Sequence, residues 1–196
     1  MKFALLAKDI RMNKLLIAPF ALAALLAVPT AAPAELPLGA KAPDFVTASA
    51  AAGVEKSFSL AAALRKGPVV LYFYPKSFTD GCTLEAHAFA EAVKDFKAAG
   101  ATVIGLSADD IATQKRFSTT ECRKKFPVGV ATPDIIALYD VHLKRPDGTA
   151  SGRSARTSYV IGRDHQIKLV YTDMNPNDHV KKTLEAVRGL KAASRR

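Results

Sequence analysis

The feature that most constrains the fold is a continuous apolar run, VVLYFY, at residues 69–74. The run follows Gly67-Pro68 and is rich in β-branched and aromatic side chains, which is typical of a strand buried on both faces. Such a strand needs a sheet that is covered by helices on both sides, because neither of its faces can be left in water. The run therefore favours an α/β domain.

The remaining segments alternate in the way that such a domain requires. The order β-α-β-α-β, then a β-hairpin and a final helix, predicts a thioredoxin-like fold, with a central mixed β-sheet flanked by helices on both faces. A turn-rich stretch at 144–155 is expected to be a mobile surface loop. Further strands are predicted at 45–47, 58–60, 102–107, 128–132, 157–161 and 167–172, and helical segments at 82–99, from Asp109 or Asp110 to Lys125, at 135–139 and at 177–190.

The N-terminal segment has the layout of a secretory signal. A basic start at Lys14 precedes an apolar run from Leu15 to Val28, and the small residues Ala32-Pro33-Ala34 follow. The run is shorter than the roughly 20 residues that a membrane-spanning helix needs. We therefore expect a signal peptide at 1–34, a domain at 35–196, export to the periplasm, and no stable membrane insertion after cleavage. An uncleaved anchor is the alternative, and Met1 and Met12 both remain possible starts.

Charge and cysteine content exclude several classes of protein. The formal net charge is +10, and residues 35–196 carry 24 Lys+Arg against 17 Asp+Glu. These positive residues are spread out, with no aromatic interleaving and no zinc-finger or helix-turn-helix spacing, so we expect no nucleic-acid partner. Two cysteines, Cys82 and Cys122, are too few for a disulfide framework or a four-cysteine zinc site. They allow one disulfide, a redox pair, or one nucleophile and a bystander.

Cys82 is the candidate nucleophile because of where it lies. It follows the buried strand and the loop PKSFTDG, and it falls in the first turn of the next predicted helix. Unpaired backbone N–H groups and the helix dipole at that point favour the thiolate over the thiol. Thr79 can place a hydroxyl beside the sulfur, Pro75 stiffens and shields the loop, and Gly81 allows a close approach. A buried, inert cysteine is the alternative.

These residues resemble the active-site motif of the peroxiredoxins. PxxxTxxC is met at Pro75, Thr79 and Cys82, and YFYPKSFTDGCTLEAHAF is similar to the Q-type, or bacterioferritin-comigratory-protein, branch of the AhpC/TSA superfamily. The resemblance covers about residues 36–190 and includes APDF at 42–45. It implies that Cys82 is the peroxidatic cysteine, that no metal or other cofactor is needed, and that Arg156, in RTSYVI, is the active-site arginine. Arg153 is the rival position for that arginine.

The family pattern offers two positions for the resolving cysteine. Many Q-type members carry it five residues after the peroxidatic one, where this chain has His87. Some carry it on the following helix, and Cys122 is predicted late in that helix, beside Arg123 and Lys124, which would promote its thiolate. A one-cysteine enzyme is the alternative. His87 is expected to be a surface or helix-packing residue, and Glu85 is expected to form a local ion pair.

The resemblance implies a thiol-dependent peroxidase that reduces hydrogen peroxide and organic hydroperoxides and is regenerated by an external dithiol protein such as a thioredoxin. We expect a monomer or weak dimer. A thioredoxin-like thiol–disulfide oxidoreductase is one alternative, although Glu85 stands where its second cysteine would be. A non-enzymatic, basic thioredoxin-fold binding module is another, and full function after Cys82→Ser would favour it.

The signal-peptide interpretation predicts a mature N-terminus near Glu35, because signal peptidases cut after small residues such as those of Ala32-Pro33-Ala34. N-terminal sequencing of the natively expressed protein checks this. Recovery of Met1 or Met12 at the N-terminus would show that no cleavage occurs.

Overall fold

The computed structural model describes residues 35–193, so the predicted signal peptide at 1–34 lies outside the described residues and stays a prediction. No helix within the described part is both long and apolar enough to cross a membrane. Along 35–193 the elements are β1 (Val46–Ala51), β2 (Val54–Ser59), α1 (Leu60–Leu64), β3 (Val69–Phe73), α2 (Asp80–Ala98), β4 (Thr102–Ser107), α3 (Ile111–Thr120), β5 (Val128–Val130), α4 (Pro133–Leu138), β6 (His142–Lys144), β7 (Ala150–Ser154), β8 (Thr157–Ile161), β9 (Ile167–Thr172) and α5 (His179–Ala193).

The main sheet is mixed, as the sequence predicts. Its strand order is β2-β1-β5-β4-β3-β8-β9. The β3–β4 and β4–β5 pairs are parallel, whereas β8 pairs antiparallel with both β3 and β9. β6 and β7 form a separate two-stranded sheet. The central position of β3 agrees with its fully apolar sequence.

Strand β3 separates two hydrophobic clusters because its side chains alternate between the faces of the sheet. Val70 and Tyr72 belong to one cluster, together with residues of α2, α3 and α5. Val69 and Leu71 belong to the other, together with residues of α1 and α4. Helices therefore cover both faces, as predicted. Each large side chain that is fully buried in this way contributes about 1.5–3 kcal/mol of transfer free energy.

Helix α3 shows which of two candidate aspartates is the cap. The Asp110 carboxylate accepts a hydrogen bond from the Thr113 backbone N–H at 2.7 Å, which is the geometry of an N-cap. Asp109 instead accepts hydrogen bonds from the Ser77 backbone N–H at 2.6 Å and from the Ser107 hydroxyl at 2.8 Å. It therefore joins the end of β4 to the loop that precedes Cys82.

The predicted end of α3 at Lys125 is wrong. The helix ends at Thr120, and Cys122 lies in the turn that follows it rather than on the helix. Arg123 and Lys124, which come after the C-cap residue Glu121, both have left-handed backbone conformations, with φ of 49° and 59°, so the helix cannot continue to Lys125. Pro127 sets only the last position at which α3 could end. No side chain before it predicts the left-handed backbone of Arg123 and Lys124.

The surface loop predicted at 144–155 is largely exposed, but it is more regular than expected, because β7 pairs with β6 in a small hairpin there. Arg145 and Thr149 close the turn through backbone and side-chain hydrogen bonds. Ser154 is buried, and its hydroxyl donates to the Tyr74 carbonyl at 3.0 Å. The predicted hairpin of 157–161 with 167–172 is confirmed. The strands predicted at 45–47 and 58–60 pair with each other as β1 and β2, and both are longer than expected.

The close approach of the Tyr72 ring to Gly105 predicts that the core has no room for a side chain at position 105. A Cβ added to Gly105 would lie 2.4 Å from Tyr72 Cζ, and the Tyr72 ring is itself stacked on Phe89 at 4.4 Å, so it has no room to move. Gly105→Ala should lower the free energy of unfolding by about 1–3 kcal/mol through overpacking.

Gly189→Ala is the matched control, because Gly189 lies on the exposed side of α5 with no atom within 4 Å of its added Cβ. That change should raise stability by up to about 1 kcal/mol through helix propensity. Urea titration measures both variants, and equal midpoints for Gly105→Ala and the wild type would contradict the packing argument.

Candidate active site

The loop after β3 positions Cys82 at the start of α2. The Tyr74 backbone N–H bonds the Leu106 carbonyl, so the loop leaves the sheet beside β4. The Tyr74 hydroxyl donates to Gln114 Oε1 at 2.8 Å, and Asp109 holds the Ser77 backbone. Cys82 is the third residue of α2 and only 2% exposed. Its sulfur therefore lies in the first helical turn, where the backbone N–H groups have no partners within the helix.

Arg156 lies over this sulfur. Its Nη2 is 3.4 Å from Cys82 Sγ, its Nε donates to the Met174 carbonyl at 3.0 Å, and the residue is 3% exposed. A Cβ added to Gly81 would lie 3.2 Å from Nη2, so the glycine leaves room for the guanidinium. Arg153 is exposed on β7. The structure therefore brings Arg156, and not Arg153, to the cysteine.

Glu85 completes a buried charge cluster. Arg156 Nη1 donates to Glu85 Oε2, and the Glu85 side chain is fully buried. Burial raises the pKa of Glu85 to about 8, and the adjacent guanidinium offsets part of that rise. For Arg156, burial acts to lower the pKa, but attraction to Glu85 and Cys82 exceeds it and leaves the pKa raised. The raised pKa of Glu85 favours a neutral carboxyl, whereas the raised pKa of Arg156 depends on an ionised one. Since a guanidinium does not give up its proton, Glu85 is the member that takes one up.

Thr79 and Pro75 occupy the loop as the motif requires, but the Thr79 hydroxyl has a backbone partner. It donates to the Lys76 carbonyl at 3.0 Å and forms no cap bond to α2. Its hydrogen is therefore directed into the loop, and only its oxygen lone pairs remain to accept a further bond. Pro75 is half-buried where the loop begins.

Cys122 is fully buried in the same cluster as Cys82, and both cysteines are free. Burial, followed by the nearby Glu121 charge, raises the pKa of the Cys122 thiol well above its ordinary value. The expectation that Arg123 and Lys124 promote its thiolate is wrong, because both side chains are exposed and Arg123 pairs with Glu91 at 3.1 Å. In this conformation Cys122 is an unreactive thiol.

His87 has a helix-packing role, as expected. Its Nε2 lies 2.8 Å from Glu121 Oε2, which joins α2 to the end of α3. Across residues 35–193 the structure shows no group of three or more His, Cys, Asp or Glu side chains that could hold a metal ion. The local partner expected for Glu85 is Arg156, whose Nη1 donates to the Glu85 carboxyl.

Comparison with known proteins identifies the family. Residues 38–170 match the AhpC/TSA family. The chain belongs to this family. Among its relatives, peroxiredoxin Q from chloroplasts of Suaeda salsa is 34% identical over 127 residues, covering 63% of this chain and 56% of the relative. The corresponding Arabidopsis thaliana protein is 34% identical over 128 residues, covering 63% and 55%. The chain thus spans little more than half the length of these curated relatives.

Solved structures of AhpC/TSA-type proteins share the fold. The crystal structure of peroxidoxin BcpB from Mycobacterium tuberculosis superimposes with a TM-score of 0.69 at 28% identity, covering 78% of this chain and 97% of that one. A cysteine-to-serine mutant of PrxQ from Xylella fastidiosa gives 0.69 at 22% identity, covering 82% and 98%. The neighbours are thioredoxin-fold peroxiredoxins, so the predicted thioredoxin-like fold is confirmed.

Sequence reasoning within the AhpC/TSA motif missed three residues that support the site. Asp109 anchors the loop, while Ser158 and His179 form a buried pair with Ser158 Oγ 2.8 Å from His179 Nδ1. His179 is fully buried at the start of α5. Nothing in the local sequence marks it, because its neighbours in space come from β8, β9 and α2, far away along the chain.

The contact between Arg156 and Cys82 predicts how each arginine affects cysteine reactivity. In a Cys122→Ser background, Arg156→Ala should move the pH profile of Cys82 alkylation upward by about one unit or more, since a cation within a few ångströms favours the thiolate by that order. Arg153→Ala, the exposed control, should leave the profile where it is. Identical profiles for the two variants would show that Arg156 does not act on the sulfur.

Proposed function

We propose that this protein is a thiol-dependent peroxidase that reduces hydrogen peroxide and organic hydroperoxides through Cys82, without a metal or other cofactor. The observation that carries the proposal is the Arg156 guanidinium, 3.4 Å from a buried sulfur in the first turn of a helix. A buried cation and a helix N-terminus together stabilise both a thiolate and the negative charge that leaves during peroxide cleavage. Relatives named peroxiredoxin Q support the same activity.

The first step is an attack of the Cys82 thiolate on one peroxide oxygen. A sulfur–oxygen bond forms, the O–O bond breaks, and the other oxygen leaves as hydroxide or alkoxide, which takes up a proton. The products are Cys82 sulfenic acid and water or an alcohol. Arg156 neutralises the leaving charge, and the Thr79 oxygen, which donates its own hydrogen to Lys76, can accept a bond from the peroxide O–H.

Cys122 is the proposed resolving residue. Its thiol condenses with the sulfenic acid, a disulfide forms and water leaves, and an external dithiol protein of the thioredoxin kind then reduces the disulfide. Because both cysteines are buried, we propose that the first turn of α2 and the segment after α3 open during the cycle, so that the disulfide can form and the external dithiol can reach it. The left-handed Arg123 and Lys124 make that segment a favourable place to open, since such backbone conformations are strained.

Cellular setting is proposed from the sequence alone. The 1–34 segment has the composition of a secretory signal, so the peroxidase is proposed to act in the periplasm. We propose a monomer or weak dimer for the exported domain.

The two cysteines should affect different steps. Cys82→Ser should abolish peroxide reduction, because a serine hydroxyl is not ionised near pH 7. Cys122→Ser should leave the first oxidation almost unchanged, slow turnover with a dithiol reductant, and allow overoxidation of Cys82, because no neighbouring thiol traps the sulfenic acid. Rapid-mixing kinetics and intact mass after one equivalent of peroxide measure both effects.

The control for the pair is the oxidised wild type. Its mass should fall by two hydrogens relative to the reduced protein, as an intrachain disulfide requires. A wild type that instead gains one oxygen, together with wild-type turnover by Cys122→Ser, would make the protein a one-cysteine peroxidase. Insulin reduction without peroxide reduction would favour a thioredoxin-like oxidoreductase instead.

A further inference from the structure

Phe78 has a backbone conformation that a bulky side chain rarely adopts. Its φ is 63°, in the left-handed region, where the Cβ of an ordinary residue is crowded by the backbone. Phe78 lies in the loop before Cys82 and is 45% exposed, so burial in the core does not hold it there. A conformation of this kind persists only where contacts with the surrounding structure fix it.

Two contacts with other parts of the chain fix this loop. The Ser77 backbone N–H donates to the Asp109 carboxylate at 2.6 Å. The Phe78 ring meets the Phe117 ring of α3 edge to face, with 5.2 Å between the ring centroids and 89° between the ring planes. Phe78 also borders an open surface hollow of about 640 Å³. The ring contact with Phe117 is therefore the aromatic support of a strained backbone.

Phe117 connects this loop to the resolving candidate. It is fully buried, in the cluster that contains both cysteines, and its ring also stacks on Tyr74 at 5.4 Å. Its carbonyl oxygen accepts a hydrogen bond from the Cys122 backbone N–H at 3.0 Å. One residue thus contacts the loop before Cys82 through its ring and holds Cys122 through its backbone.

The loop and the turn at Cys122 therefore do not open independently. When the loop opens, the Phe78 backbone leaves the left-handed region and its ring leaves Phe117. Phe117 is among the buried residues of α3 and lies in its last turn, so the loss of one ring contact weakens the attachment of that turn to the core. A coupling free energy acts equally in both directions. A closed loop accordingly keeps the turn at Cys122 closed.

We propose that Phe78 is a positioning residue for the resolving step. Through Phe117, its ring keeps Cys122 buried while the loop is closed and loosens the turn at Cys122 when the loop opens. The thiol that condenses with the sulfenic acid thus becomes more accessible when the loop that carries Cys82 moves. The use of this coupling in catalysis rests on the proposed function, in which Cys122 resolves, whereas the coupling itself does not.

The test measures how often the turn at Cys122 opens, as the rate of Cys122 alkylation under native conditions in a Cys82→Ser background. Phe78→Ala should raise this rate about two- to tenfold, the factor that corresponds to the loss of one aromatic pair. Phe78→Tyr keeps the ring and should leave the rate unchanged. Leu138→Ala is the matched control, because Leu138 is 49% exposed but lies on α4, which packs in the other hydrophobic cluster. It should also leave the rate unchanged.

A double-mutant cycle shows whether the loop acts through the ring. Asp109→Ala removes the acceptor of the Ser77 N–H and loosens the loop, so it should raise the rate of Cys122 alkylation. In a Phe78→Ala background the same change should cause little further increase, because the ring contact is already lost. A general loss of stability would instead make the two effects multiply. Multiplying effects, or an unchanged rate in Phe78→Ala, would overturn the proposal.

The proposed function is tested separately, by the intact mass of the wild type after one equivalent of peroxide. The expected alkylation rates together with a wild type that forms no disulfide would overturn the resolving role of Cys122 and leave the coupling intact. A wild-type disulfide together with multiplying effects of Asp109→Ala and Phe78→Ala would overturn the coupling alone.

Discussion

The contact of one buried guanidinium with two acids is the interaction on which the rest of the site depends. Moving a charged group from water into the protein interior costs on the order of several kcal/mol, unless the group is paired and hydrogen-bonded there. Arg156 meets that requirement with the Cys82 sulfur, the Glu85 carboxyl and the Met174 carbonyl. These three partners come from the first turns of α2 and from the turn after β9. The arginine can therefore be buried only if these distant parts of the chain are brought together at the cysteine.

Strand β3 makes that meeting possible. Because its side chains are buried on both faces, the loop after it leaves the interior of the sheet and not an edge. Helix α2 then begins above the sheet, with Cys82 in its first turn, and β8 runs antiparallel to β3 so that the start of β8 lies beside the end of β3. The register of Phe73 opposite Thr157 places Arg156 one residue beyond the pairing, next to the loop.

The sequence predicted correctly those helices and strands that are determined by the residues within them. The run at β3, the β4 strand and the 157–172 hairpin were predicted correctly, since alternation and turn residues define them. The end of α3 was not, because left-handed dihedrals at Arg123 and Lys124 have no compositional signal. The acidity of Cys122 was mispredicted for a related reason. Its charged sequence neighbours point to solvent, while the thiol itself points into the core.

The candidate site divides in the same way. The motif residues at Pro75, Thr79 and Cys82 are contiguous, so a family pattern records them, and Arg156 lies in a second short pattern. Asp109, Ser158 and His179 act through contacts between residues that are far apart in the chain, and each looks like an ordinary polar residue locally. Only the three-dimensional arrangement assigns them to the site.

The segment that holds Cys122 is fastened to α2 by His87–Glu121 on one side and Glu91–Arg123 on the other. Both contacts are partly or largely exposed, and exposed pairs contribute at most about 1 kcal/mol each. The thiol and its aromatic neighbours Phe117 and Phe126 are buried, and they supply most of what keeps the segment closed. How often Cys122 becomes accessible is therefore governed by the hydration of aromatic side chains. Ionic strength will change that frequency little, whereas urea will raise it in proportion to the apolar area that the opening exposes.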